Sequence, residues 1–242
     1  MTKFYNYDMP GKPVYAWNPI IMRCDRISEG CLNCWHLKMC HRKASNPLCL
    51  PEEREVYGGK LAPFVSQYRI DDMLVRQKPA VIAVQFMGDI GHDSLPISVV
   101  TPVFEAMMTR SQHTFLLLTK RPERLAAWLA FMKPNPSWYI GASCENQARL
   151  DERLPAMIDM ASRGWHVWLS LEPLLGPIDN DPAALDRLSM VAVGPETGTG
   201  ARLVGDSDEL TRCAIKSIQA QCHTAGVLCY DKRDGGNRAV PW

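Results

Sequence analysis

The sequence lacks an excess of either charge. Its 27 basic and 26 acidic side chains leave +1, so the chain as a whole is not a polycationic nucleic-acid binder, and any such contact requires a local patch. It also lacks the apolar run of about 18 residues that a membrane-spanning helix needs. No apolar stretch follows a basic N-terminal region, so no secretory leader is expected. Internal repeats and low-complexity tracts are missing. What remains is ordinary globular composition, 46% hydrophobic and 22% charged over 242 residues, enough for a sizeable core. The expectation is a single α/β domain over 1–242, cytoplasmic and with no membrane partner. An irregular insertion or lid is expected over 40–77.

Cysteine is abundant. There are nine, an odd number, which argues against a secreted disulfide scaffold. Cys24, Cys31, Cys34, Cys40 and Cys49 cluster, and clustering suggests ligation more than cross-linking. The scattered Cys144, Cys213, Cys222 and Cys229 read as small buried apolar side chains.

Seven strand-like runs recur along the chain: Val14–Trp17, Ala80–Met87, Thr114–Leu118, Trp138–Ala142, Val167–Leu171, Met190–Val193 and Val227–Tyr230. Most lack two-residue alternation, as expected for strands buried on both faces of a parallel sheet. Helices are predicted between them over Pro102–Thr109, Pro122–Phe131, Gln147–Ser162, Pro182–Leu188 and Asp208–Thr224. Pro155 is a candidate break in the third, and Asp181 a candidate N-cap for the fourth. The βαβα order predicts a partial or complete TIM-like (β/α) barrel with parallel strands, with a doubly wound open sheet as the alternative.

Polar residues follow the runs repeatedly. Gly88 and Asp89, then Lys120 and Arg121, then Glu145, Glu172, Glu196 and Lys232 each fall at or just beyond a strand end. Parallel α/β proteins bind ligands there. The plain alternative is that the carboxylates pair with nearby cations and hold the rim together. The turn from Gly194 to Gly200 is an anion-binding candidate or simply a permissive turn; it has neither GxGxxG spacing nor a GKS/T ending.

Cys24-x6-Cys31-x2-Cys34 offers three soft thiolate donors. Spacing alone leaves zinc, iron–sulfur and no metal all open. Zinc would take a fourth ligand from Cys40, Cys49, His36 or His41.

The chain further contains Trp17-Asn18-Pro19, Met87-Gly88-Asp89, Leu118 to Arg124 as LTKRPER, Cys144-Glu145-Asn146-Gln147, Leu171 to Pro177 as LEPLLGP, and the Gly194–Arg202 turn. Together these resemble the phage Gp37/Gp68-like family, a divergent radical S-adenosylmethionine group distantly similar to spore photoproduct lyase. Trp35 and Pro195 depart from that pattern.

The resemblance implies a [4Fe–4S] cluster on Cys24, Cys31 and Cys34, with S-adenosyl-L-methionine bound at its open iron and an external one-electron reductant as partner. It implies that Gly88 and Asp89 receive the methionine amino group and that Lys120 or Arg121 receives the carboxylate. Glu145, Glu172, Gly194 and Glu196 would face the adenosine or orient the substrate, and Glu145, Glu172 and Lys232 would act in catalysis. The implied substrate is DNA or a modified thymidine nucleotide in a phage-infected host cytoplasm. The implied reaction is isomerisation of an amino-acid adduct on thymine. A thymine-photoproduct repair lyase is a second reading, and a zinc-stabilised, non-catalytic nucleic-acid-binding protein a third.

Overall fold

The computed structural model describes residues 2–3, 14–197, 200–202 and 208–232. In chain order, β1 (Thr2–Lys3) and β2 (Val14–Trp17) precede β3 (Ile20–Ile21), a short 3-10 turn at Glu29–Cys31, α1 (Trp35–Ala44) and α2 (Pro51–Tyr57). Next come β4 (Phe64–Val65), α3 (Gln67–Leu74), β5 (Val81–Val84), α4 (Ile97–Met108) and β6 (Thr114–Thr119). Then follow α5 (Pro122–Leu129), β7 (Trp138–Ser143), α6 (Gln147–Ser162) and β8 (His166–Leu174). The described chain ends with α7 (Pro182–Leu185), β9 (Met190–Pro195), α8 (Asp208–Thr224) and β10 (Leu228–Asp231).

All seven apolar runs become parallel strands of one sheet, in the order β2-β5-β6-β7-β8-β9-β10, with β1 antiparallel on the β2 edge. The sheet is open and curled, a half-barrel, which is the partial form of the expected (β/α) barrel. Sequential strand order with a helix in almost every crossover favours this over the doubly wound alternative. The larger core cluster lies between sheet and helices and includes Ile82, Phe115, Leu117, Ile140, Val167 and Ile218. A smaller cluster on the other face contains Val14, Val81, Leu116, Trp168 and Met190. Because both faces are covered, the strands carry near-continuous apolar sequence. Each fully buried Leu, Ile or Val side chain stabilises by about 1.5–3 kcal/mol relative to an exposed one.

Several helices follow their local signals. Pro122 opens α5 at its first turn, where a missing N–H costs nothing. Asp181 caps α7 by accepting from the Ala183 N–H at 3.0 Å. Asn146 caps α6 by accepting from the Arg149 N–H at 3.0 Å. Pro155 lies inside α6 without dividing it, and α4 begins five residues before Pro102, at Ile97, and runs through it. The 40–77 segment is not irregular: it holds the end of α1, all of α2 and α3, and β4, which pairs antiparallel with β3.

The expected strand over Ala80–Met87 stops at Val84 because Gln85 turns the chain, with φ of 55°. Gln85 is fully buried and replaces the ladder with side-chain bonds. Its Oε1 accepts from the Ile20 N–H at 3.0 Å, and its Nε2 donates to the Ile20 and Met87 carbonyls at 3.0 and 2.9 Å. Asn18 Oδ1 accepts from the Met87 N–H at 2.7 Å, and Trp17 Nε1 donates to the Arg69 carbonyl at 2.7 Å. The Trp17-Asn18-Pro19 segment thus ties the exit of β2 to the exit of β5 and to α3. That knot sets the start of the cysteine-bearing loop.

Candidate metal centre and pocket

Beyond the C-terminal strand ends lies a pocket of about 420 Å³. Cys24, Cys31 and Cys34 all border it, as do Gly88, Asp89, Lys120, Arg121, Glu172, Glu196 and Lys232. Glu145 and Gly194 are not among its lining residues.

Glu145 lies wholly buried one layer below. Its Oε2 accepts from Lys120 Nζ and from Arg153 Nη1, both at 3.0 Å, and its Oε1 accepts from the Gly30 N–H at 3.1 Å. Burial opposes its charge, but Lys120, a Ser28 hydrogen bond and Arg153 outweigh that and hold its carboxyl below the usual range. Lys120 Nζ also donates to Ser28 Oγ at 2.9 Å. Glu145 therefore anchors the cysteine loop to the sheet.

Asp89 is similarly committed. It accepts from Thr119 Oγ1 at 2.5 Å, from Arg121 Nη1 at 2.9 Å and from the Gly91 N–H at 2.9 Å. Gly88 has φ of 125°, and a Cβ there would meet Met22 Sδ at 2.5 Å. Backbone angle and packing both demand glycine. Gly194 has a comparable reason, since a Cβ would lie 2.8 Å from Glu172 Oε1 and 3.2 Å from Lys232 Cβ. Its bare backbone makes room for the Glu172–Lys232 ion pair. Glu196 pairs with Arg202 and accepts from Asn33 Nδ2 at 3.0 Å. Arg202 is the main reason its carboxyl falls to about 2.

Among the described residues, one group of metal-ligand atoms converges. Cys24, Asp25 and His92 bring a thiol, a carboxylate oxygen and a ring nitrogen within 4.8 Å of one another. This corrects the cofactor expectation. One thiol, one carboxylate and one imidazole are not the three-thiolate set of a [4Fe–4S] cluster, so the cluster and the S-adenosylmethionine that depended on it are withdrawn. Cys31 and Cys34 line the pocket but are not members of this group. Asp25 and His92 went unnoticed in the sequence. The available signal for His92 was its position three residues after the strand-end Asp89.

The geometry of His92 is informative. Its Nε2 lies 2.9 Å from Asp25 Oδ1 yet makes no hydrogen bond. Nδ1 accepts from the Ser94 N–H at 3.1 Å, with the Ser94 hydroxyl at 2.8 Å. Nε2 therefore carries the ring proton on the side of Cys24 and Asp25, and an ion bound there would displace it. Asp25 is also held by Arg121 Nη2 at 2.6 Å. Burial raises the Asp25 carboxyl, but Arg121 and then His92 outweigh it and keep it below the usual range. Burial, followed by the charge of Asp89, pushes the Cys24 thiol up to about 12. Burial likewise opposes ionisation of Cys31, but Lys120 and hydrogen bonds around Ser28 bring its thiol below the usual value.

Asn33 and Ser170, which carried no sequence expectation, also line the pocket with Phe86 and Ser143, and the half-exposed indole of Trp35 stands at its edge. On α1, Cys40 Sγ lies 3.4 Å from His36 Nε2, and both side chains are buried.

A family model described as "Protein of unknown function (DUF5131)" matches residues 14–240. The chain belongs to this family. The match spans every strand of the parallel sheet and the whole pocket. No curated protein and no solved structure matches the chain. No described helix is long and apolar enough to cross a membrane.

Proposed function

We propose that the protein is a zinc-stabilised, nucleic-acid-binding α/β protein whose pocket receives a nucleotide unit. The observation that supports it most is the convergence of Cys24, Asp25 and His92, with the buried His92 Nε2 lacking a hydrogen bond. Thiolate, imidazole and carboxylate are all common zinc donors, and three of them leave one position for water or a ligand. The ion would join the loop after β3 to the loop after β5 and fix the pocket wall between them.

The pocket chemistry favours a nucleotide unit over an apolar metabolite. Lys120, Arg121 and Lys232 reach a rim where each is paired with a carboxylate, and that rim also carries the aromatic side chains of Trp35 and Phe86. Unpaired bases are bound by stacking on aromatic side chains while cations track the phosphates. Near-neutral net charge fits a local site and not a basic surface. This reading is one of binding, with the ion holding two loops together and its open position facing the ligand.

Metal content by mass spectrometry of protein purified without chelators tests the ion. A single zinc per chain is expected, lost in Cys24→Ser and His92→Ala and retained in Cys213→Ser. Preparations free of zinc, or holding iron with sulfide, would sink the assignment. Anisotropy of a labelled single-stranded oligonucleotide tests the ligand. Affinity should fall with added salt and with Trp35→Ala. Zinc-loaded protein that binds no oligonucleotide would remove the nucleic-acid half of the proposal.

A further inference from the structure

The inner face of the sheet is built in layers, and the layer that meets the pocket is made of small residues. One layer below it, Leu118, Gly141, Trp168 and Met190 are register partners on β6, β7, β8 and β9. A Cβ on Gly141 would lie 2.3 Å from the Trp168 indole, so that indole spreads over β7 and closes the layer. Phe86 stacks on the same indole, with ring centroids 6.5 Å apart and planes at 21°. Two residues further along each strand the side chains return to this face, and the partners there are Ser143, Ser170 and Ala192. Ala142, Leu169 and Leu171 point the other way, into the core beneath the helices.

Both serines line the pocket, only 6% and 2% exposed, together with Phe86 and Leu118. The pocket therefore has apolar walls and two adjacent hydroxyls on its floor. Ser170 Oγ donates to Glu172 Oε2 at 3.4 Å. Ser143 uses its carbonyl, which accepts from Arg153 Nη1 at 2.6 Å, but its hydroxyl has no hydrogen-bond partner among the described residues. A hydroxyl at that depth is ordinarily paired, so its open donor and acceptors point to a ligand group that completes them.

We propose that Ser143 and Ser170 read the edge of a nucleobase, so that the pocket takes its nucleotide base first and leaves the phosphates at the rim. This rests on the reading of the pocket as a nucleotide site. A hydroxyl both donates and accepts, which suits the mixed donors and acceptors of a base edge. Phosphate fits the floor less well, because a phosphodiester only accepts and the Glu172 carboxylate lies beside Ser170. The walls of Phe86 and Leu118 suit the faces of a flat ring. Ser143 and Ser170 are thus specificity-determining residues, set side by side by strand register.

Anisotropy is read with a short labelled single strand and with an abasic strand of the same length and charge. The parent protein should bind the base-bearing strand more tightly. Ser143→Ala should weaken that binding about three- to tenfold, the loss of one neutral hydrogen bond, and leave the affinity for the abasic strand unchanged. Ser170→Ala should act in the same direction. Equal losses on the two strands, in whichever variant keeps the parent's urea midpoint, would overturn the proposal, as would no loss on either strand. Parent protein that binds both strands equally would overturn it and leave the nucleic-acid reading standing. Parent protein that binds neither strand removes both.

Discussion

The two sides of the strand-end rim use the same residue types differently. Near β6 and β7, Glu145 and Asp89 are buried and satisfied by Lys120, Arg153, Arg121 and backbone N–H groups. Near β8 and β9, Glu172 and Glu196 border the pocket and pair with Lys232 and Arg202, which are more exposed. A carboxylate after a strand thus pairs with a buried cation on one side and with a partly exposed one on the other. What separates them is the cation: the Arg153 and Arg121 side chains are 1% and 9% exposed, those of Lys232 and Arg202 26% and 34%. A buried carboxylate must be fully paired, because an uncompensated charge in low dielectric is costly. A pair whose cation reaches the surface keeps water as an alternative partner for that cation.

The strongest way to break this contrast is to remove a brace. Glu145→Ala leaves Arg153, whose side chain is 1% exposed, without its carboxylate. A loss of about 3–5 kcal/mol is expected in urea unfolding. Unchanged stability with lost ligand binding would move Glu145 into the pocket group. Packing comes next. Gly141 faces Trp168 across β7 and β8, and a Cβ there would lie 2.3 Å from the indole. Gly141→Ala should cost about 1–3 kcal/mol by overpacking, read from the same denaturation curves.

The pocket side should respond less, and mainly to acid. Glu196 drops from 4.5 in the unfolded chain to about 2 when folded. Its contribution is therefore complete above about pH 4.5 and is lost as the pH falls towards 2. Glu196→Gln should flatten the stability profile across that window. Arg202→Ala should cost about 1 kcal/mol or less at neutral pH, since its side chain is one-third exposed. The smallest effect is expected on the outer surface. Arg149 clasps the half-exposed Glu29 of the cysteine loop, with Nε 3.0 Å from Oε2. Arg149→Ala should change stability by only about 0.2–1 kcal/mol, and less at high salt.

Much of the fold was legible because its signals are local. Val14–Trp17 is a strand at the boundaries its apolar sequence suggested, and α6 and α8 span their expected residues. Asp181 caps where a short polar side chain before proline should. The errors arose where tertiary contacts overrode local rules. Pro102 and Pro155 are carried inside helices, and Gln85 ends β5 early through bonds to Ile20 and Met87. The helices within 40–77 lacked the long periodicity that would have marked them. At the site, the rim was readable as polar, but the three cysteines could not be assigned a common ion by spacing. Cys24 converges instead with Asp25, its neighbour, and His92, which arrives on a different loop.

The amino-acid sequence by itself determined a sheet of doubly covered parallel strands and a polar rim at their ends, since hydrophobic periodicity and strand order act residue by residue. Only the tertiary structure decided which charges became braces and which donors met. Those outcomes depend on loop paths fixed by distant contacts such as Asn18 to Met87 and Lys120 to Glu145, and no local pattern specifies where two separate loops will bring their side chains together.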